Sequence, residues 1–470
     1  MLIRGAEMRN GTIADVRIEG PLVTAIGAGF EPWPGEDVLD AKGGALLPGL
    51  HDHHLHLMAL ATSLDSLRCG PPQVATATDL EQQLREHAAL PEGADGDWIR
   101  GIAYHESVAG DIDRRWLDRV VPSRPVRIQH RSGRLWIINS RGLEHLTCGG
   151  PAHGAARPPD LEELATGRLL DADPWLRERL GGRPPSLRRV SRLLASHGVT
   201  GVTDATARNS DAEFGYFVEA IAHGELRQRV VVMGDASLDD HVDAGLVRPG
   251  PTKIYLRESA LPSSEDLLAS IARSHAAARP VAVHCVTETE VVFAATCIAE
   301  AGARPGDRIE HASVAPPHVV SLLAEHGLTV VTQPNFVRER GDAYLTDVPA
   351  RDHPWLYRGR GFLRAGICLA AGTDAPLGEA NPWLAMLAAV DRRTARGGTL
   401  GEAESLSPEE ALALFSGDPL MPGGGLTTIE PGVTADFCVL EWPWSVARRN
   451  LGNVVVSATV RAGRLVWQRI

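Results

Sequence analysis

Short apolar runs separated by turn residues fill both ends of the chain. At the start, Met1–Met8, Thr12–Glu19 and Leu22–Ile26 read as strands, broken at Asn10-Gly11 and Gly20-Pro21, dipeptides that favour tight turns. At the end, Ala435–Glu441, Asn453–Val460 and Arg464–Gln468 repeat the pattern around a turn at Ala462-Gly463. Neither set holds enough strands for a stable sheet by itself. The two termini, 1–47 and 423–470, are therefore expected to combine into one small β-sandwich domain.

Between residues 48 and 422 apolar strand-like runs alternate with Ala- and Leu-rich helical stretches, the pattern of parallel βαβ units. The strand candidates are Leu46–Leu57, Gly201–Thr206, Gln228–Gly234, Thr252–Leu256, Val281–Val286, Arg308–His311, Leu328–Gln333 and Ile367–Thr373. Eight such runs predict an α/β fold of the (β/α)₈ TIM-like barrel type, in which chemistry gathers at the C-terminal strand ends. Helices are predicted at Glu265–Ala278 and Pro317–His326, and Ser407-Pro408-Glu409-Glu410 carries a capping Ser, an N1 proline and an N3 glutamate. Strands one and two lie about 140 residues apart, far beyond an ordinary connection. An inserted subdomain, 58–196, is expected there, over the barrel mouth, with apolar segments Asp97–Ala103 and Pro125–Asn139 and a mobile loop at Gly149–Gly167.

Composition narrows the class. The 470 residues exceed one ordinary domain, and 44% hydrophobic with 23% charged residues is a globular balance. With 47 basic against 59 acidic residues the net charge is -12, which argues against nucleic acid or an anionic membrane as partner. No apolar run reaches membrane-spanning length, and the first residues lack the features of a secretion signal. A cytoplasmic enzyme with a small-molecule substrate is the expectation; a homo-oligomer is compatible with it. The six cysteines form no Cys-x-x-Cys pair, which fits reduced thiols.

The densest cluster of the eighteen histidines is His51-Asp52-His53-His54-Leu55-His56. On a strand Asp52, His54 and His56 share one face, and two imidazoles two residues apart can chelate a cation. A surface cluster is the plain alternative.

Pro48-Gly49-Leu50-His51-Asp52-His53-His54-Leu55-His56 resembles the strand-one signature of the amidohydrolase superfamily, Pro-Gly-x-x-Asp-x-His-x-His. The resemblance implies further ligands at the ends of strands four, five, six and eight. Those places hold Lys253, His284, His311 in Arg-Ile-Glu-His-Ala, and Asp374 in Ala-Gly-Thr-Asp-Ala-Pro. Read singly, these are a rim lysine, two core histidines and a helix cap; read in order, they complete a binuclear ligand set. Within the superfamily the chain looks most like amidohydrolase family 3, the group of N-substituted formamide deformylase-like metal-dependent hydrolases. Asp118–Pro125, Trp136–Ser140, Thr332-Gln-Pro-Asn335 and Gly432–Asp436 add to that likeness. Departures fall at Ser132-Gly133-Arg134, where the family often has Asp-Gly-His, and at Leu256-Arg257-Glu258, where it has Asp-Gly.

What the resemblance implies is a centre of two divalent cations, Zn²⁺ by ligand type. His54, His56 and Asp374 would hold one and His284 and His311 the other. Lys253, a repelling cation as it stands, would bridge them as an N6-carboxylated lysine. A metal-bridging hydroxide would cleave an amide C–N bond, with Asp374 as ligand and proton shuttle. Asp52 is expected to orient one imidazole from behind. Superfamily deaminases carry Glu three residues after the strand-five His, where this chain has Thr287, so amide hydrolysis is favoured over deamination. Ester, lactone or cyclic-amide hydrolysis on the same site, and a non-catalytic scaffold, stay open as rivals. Candidate substrate contacts are Tyr104, His105, Arg134, Trp136, Glu258, Arg340 and Asp342, the arginines suiting a carboxylate; a subdomain core is the more common place for Tyr104 and Trp136, and solvent for arginines on exposed loops.

Overall fold

The computed structural model describes residues 1–71, 73–90, 98–148, 157–181 and 184–469. They form two compact units, Met1–Leu60 with Ser186–Ile470, and Ala61–Pro185.

In the first unit eight parallel strands form one sheet: β1 (Leu50–Leu55), β2 (Val199–Asp204), β3 (Arg229–Gly234), β4 (Val247–Tyr255), β5 (Val281–Cys285), β6 (Arg308–His311), β7 (Thr329–Thr332) and β8 (Leu369–Ala371). All residues of β1 and β2 are buried, as expected for strands covered on both faces. The register keeps the C-terminal ends level: Tyr255 pairs with His284, and Cys285 with His311. Past β8 the chain meets β1, where Asp374 N donates to His54 O (2.7 Å) and His56 N donates to Ala375 O (2.9 Å). Gly372 makes this seam sterically feasible, because a Cβ there would stand 2.4 Å from His54 N and 2.6 Å from His54 O.

The barrel thus has the predicted strands, with β4 starting at Val247 rather than Thr252 and a larger difference at the first. The apolar run from Leu46 breaks at Gly49: Leu46–Pro48 turns away from the barrel and pairs antiparallel with Phe437–Leu440. That strand belongs to a four-stranded sheet completed by Val456–Arg461 and Arg464–Gln468. Contrary to expectation, the N-terminal residues do build a sheet of their own, because Val38–Asp40 adds a fourth, parallel strand to Leu2–Glu7, Ile13–Glu19 and Leu22–Gly27. Both sheets share one apolar cluster, in which Ile3, Val16 and Ile18 meet Phe437, Val439 and Val460. The helices at Ser264–Ala276, Pro317–Glu325 and Pro408–Ala413 follow the predicted positions, the last with Ser407 and Glu410 in a reciprocal capping box.

The second unit is built on a five-stranded sheet. Pro125–Asn139 is a hairpin of two strands, Val126–His130 and Leu135–Ile138, since Ser132-Gly133 turns the chain. Of the loop expected at 149–167, residues 149–156 lie outside the described residues. Leu161–Thr166 is a helix rather than a loop, started by an Asp160–Glu163 capping box and ended by left-handed Gly167. Two of the sequence motifs bond to each other here: Asn139 caps a helix and ties Val126 N, Val121 O and Arg124 O together, while Asp118 accepts from Ser140 N and Oγ.

Candidate metal centre

Level strand ends bring the six sequence-selected residues to one end of the first unit. His54 closes towards the end of β1 and His56 follows it; Lys253, His284 and His311 lie on β4, β5 and β6; Asp374 follows β8. Ligand atoms of His54, His311 and Asp374 all lie within 4.8 Å of one another, and all three residues are buried. His56 Nε2 is 3.3 Å and His54 Nε2 3.6 Å from Asp374 Oδ1. The His284 ring stands 4.4 Å from that of His311, centroid to centroid, and 4.3 Å from the ring of Tyr255. His311, assigned on sequence to a second ion, therefore stands beside His54 and Asp374, with His284 next to it.

Two non-glycine residues of this group adopt left-handed backbone, His311 (φ 71°) and Asp374 (φ 54°). Such conformations cost energy and tend to persist where surrounding structure over-determines them, as at functional sites. At His311 the turn has a visible result. Strict alternation would send Glu310 and His311 to opposite faces, yet both side chains reach His54.

Each of three imidazoles is held through Nδ1, which leaves Nε2 for the centre. His54 Nδ1 bonds to Glu310, His56 Nδ1 to Thr206 Oγ1 (2.9 Å) and His311 Nδ1 to Gln333 Oε1 (2.6 Å). Oriented imidazoles of this kind are the usual support of a metal site. Thr206, Gln333 and Glu310 were not singled out by sequence reasoning, although Glu310 and Gln333 stood inside quoted motifs. Among the described residues the Asp52 carboxylate bonds to no imidazole ring. Its carboxylate accepts from Thr373 Oγ1 (2.6 Å), Thr373 N (3.0 Å) and His54 N (3.2 Å), donors that the β1–β8 seam brings to it. Burial pushes the Asp52 carboxyl up to about 7, those hydrogen bonds only partly offsetting it.

The electrostatics suit cation binding. Burial works against the Asp374 anion, but His56, His54 and His311 hold its carboxyl well below the ordinary range. Burial, with His54 and Lys253 adding, brings His311 down to about 3, so its ring is neutral and able to ligate. His284 is depressed for the same first reason, burial, with His311 and Lys253 adding. Burial likewise lowers the basicity of Lys253. Among the described residues, Lys253 Nζ and Asp374 Oδ1 are buried without a hydrogen-bond partner. Neutral imidazoles at His284 and His311, an anionic carboxylate and orphaned buried atoms together fit a divalent cation.

The proposed substrate contacts all have protein partners. Tyr104 lies in an apolar core and donates to Gly110 O (2.6 Å), and Trp136 lies in another and donates to Asp173 (3.1 Å). Arg134 Nε donates to Asp171 (2.8 Å), and His105 caps the helix Glu106–Ala109. Glu258 accepts from Thr289 Oγ1 (3.1 Å), while Arg340 stacks 3.9 Å over Phe336 and donates to Leu377 O. Asp342 accepts from Thr394 Oγ1 (2.6 Å) and Arg396 N (3.1 Å). Thr287 caps the helix Glu288–Glu300, accepting from Glu290 N.

The amidohydrolase family pattern matches residues 37–467. N-substituted formamide deformylase of Arthrobacter pascens is 26% identical over 533 aligned positions, covering 99% of this chain and 97% of that protein. A putative amidohydrolase of Bacillus subtilis, YtcJ, is 22% identical and covers 93% and 91%. The structure of an uncharacterized metal-dependent hydrolase from Pyrococcus horikoshii superposes with a TM-score of 0.76 at 19% identity, covering 96% of this chain and 99% of that one, a likeness of fold.

Proposed function

We propose that this chain, which belongs to the amidohydrolase family, is a metal-dependent hydrolase that cleaves an amide C–N bond of a small molecule. The observation that carries the reading is the convergence of His54, His311 and Asp374 around a buried Asp374 Oδ1 that has no hydrogen-bond partner among the described residues. In this reading His54, His56 and Asp374 would hold one divalent ion and His284 and His311 a second. Lys253, whose buried Nζ is also without a partner among the described residues, would join them as a carbamate. That modification would form an N–C bond to CO₂ with loss of two protons from the ammonium nitrogen, turning a cation into a bidentate anion. Ions held there, zinc by ligand type, would supply Lewis acidity, which acidifies water towards a pKa of about 7 and polarises a carbonyl.

The remaining steps belong to the chain. Asp374, anionic and facing two imidazoles, takes the proton of the attacking water and returns it to the departing nitrogen. Thr206 and Gln333 hold His56 and His311 with Nε2 inward, so no reorientation is needed during turnover. Similarity to a formamide deformylase over nearly the whole chain supports an N-acyl or N-formyl substrate.

The test is a pair of measurements on protein purified without chelator. Metal analysis should find about two divalent ions per chain, and near-zero metal would favour a non-catalytic scaffold. N-acyl amino acids, formamides and cyclic amides, each matched with its ester or lactone, should show turnover on the amide. Activity confined to the ester or lactone partners would overturn the C–N assignment.

A further inference from the structure

Barrel interiors of this type are filled mainly by Val, Ile and Leu, yet β6 places a charged pair there: Arg308 and Glu310, both side chains fully buried, with Arg308 Nε donating to Glu310 Oε1 at 2.6 Å. A buried ion pair generally contributes no more stability than an apolar pair of similar volume. The second carboxylate oxygen of Glu310 bonds His54 Nδ1. We infer that Glu310 is a positioning residue that fixes the tautomer of His54, and that Arg308 makes this tautomer obligatory. The inference rests on the proposed metal centre for its purpose, though not for its geometry.

A carboxylate can only accept, so the imidazole must carry its proton on Nδ1 and leave the Nε2 lone pair facing Asp374. Arg308 can only donate. Were position 310 an amide, its oxygen would be drawn to Arg308 and its NH₂ would face His54 Nδ1. The ring would then have to accept at Nδ1 and protonate Nε2, the atom a metal needs. Glu310→Gln, nearly isosteric, is therefore expected to damage the site by switching a proton rather than by opening space. Once Arg308 is removed as well, the amide is free to turn its oxygen towards His54.

Histidine-selective ¹⁵N NMR of the metal-free protein reads the tautomer, with His54→Gln assigning the signal. Chelator competition reads zinc affinity. The wild type should show an Nδ1–H ring and Glu310→Gln an Nε2–H ring with zinc affinity about 10- to 100-fold lower. Arg308→Met/Glu310→Gln should recover the Nδ1–H ring and bind within a few-fold of wild type. Arg308→Met/Glu310→Leu, with the same loss of charge but no acceptor, should stay about 10- to 100-fold weak. This uncharged pair decides the matter if the single variant does not fold. Equal zinc affinities in the two double variants, or an unchanged tautomer in Glu310→Gln, would overturn the inference. If the tautomer switches as described while wild-type protein binds no zinc, the positioning role stands and the hydrolase reading falls.

Discussion

His56 Nε2 stands 3.3 Å from Asp374 Oδ1, and the two residues reach each other across the seam where the eighth strand of the barrel meets the first. Charge and geometry agree at this contact. Burial works against charge on either group, yet Asp374 raises the basicity of His56 and the imidazoles hold Asp374 ionised.

Replacing Asp374 by Asn keeps its size and hydrogen-bonding capacity but removes its ability to take a proton. The variant should fold, with a thermal midpoint near that of wild type, and lose about 10²- to 10⁴-fold in kcat, the usual contribution of a proton-transfer group. Turnover close to wild type in metal-loaded Asp374→Asn would refute the shuttle role.

Chelation followed by dialysis should abolish hydrolysis, and zinc should restore it. Lys253 gives a separate signature. Protein equilibrated with ¹³C-bicarbonate should show a carbamate carbon resonance that is absent from Lys253→Ala, and that variant should retain fewer than two ions per chain. A wild-type spectrum without the resonance would remove the bridging role.

At the barrel seam, Gly372→Ala would push a methyl group to 2.4 Å from His54 N, where only backbone could give way. A loss of about 3 kcal/mol or more in urea unfolding is expected, within the range of severe steric substitutions, together with weakened zinc binding. A loss below about 1 kcal/mol would mean that the seam opens freely.

Glu410 joins a helix start to Arg360 through two hydrogen bonds of 2.5 and 2.6 Å. Those bonds and the cap at Ser407 hold its carboxyl down to about 2, with burial opposing. A depressed carboxylate stabilises the folded state fully above its ordinary value of 4.5 and loses that contribution as pH falls towards about 2. Glu410→Gln should therefore cost roughly 1 kcal/mol at pH 7, allowing for solvent screening, and the gap to wild type should narrow below pH 4.5. Denaturation midpoints of both proteins across pH 3 to 7 measure it, and a gap independent of pH would contradict the ionic account.

Much of the barrel was legible because its signals are local. Arg308–His311 carried its exact bounds, and the Ser407-Pro-Glu-Glu start lies where its capping chemistry placed it. The break at Gly49 was not legible, since Leu46–Pro48 and β1 form one apolar run and only their partners differ. Parity along β1 set His54 and His56 on one face but misled on Asp52, which shares that face and spends its carboxylate on Thr373. Tyr104 and Trp136 took the subdomain-core reading rather than the substrate one, their apolar bodies buried and their polar tips bonded within the protein.

From residue order alone came the periods of strand and helix, the caps and turns, and the side chains chemically able to hold a cation, because each depends on neighbours a few positions away. Folding decided which groups meet. Glu310 lies 256 residues from His54, and its contact with that ring depends on a parallel register and a left-handed turn at His311. A polar group in a water-poor interior must find its partner in space, and the spacing of letters along a chain does not encode distances closed by a barrel.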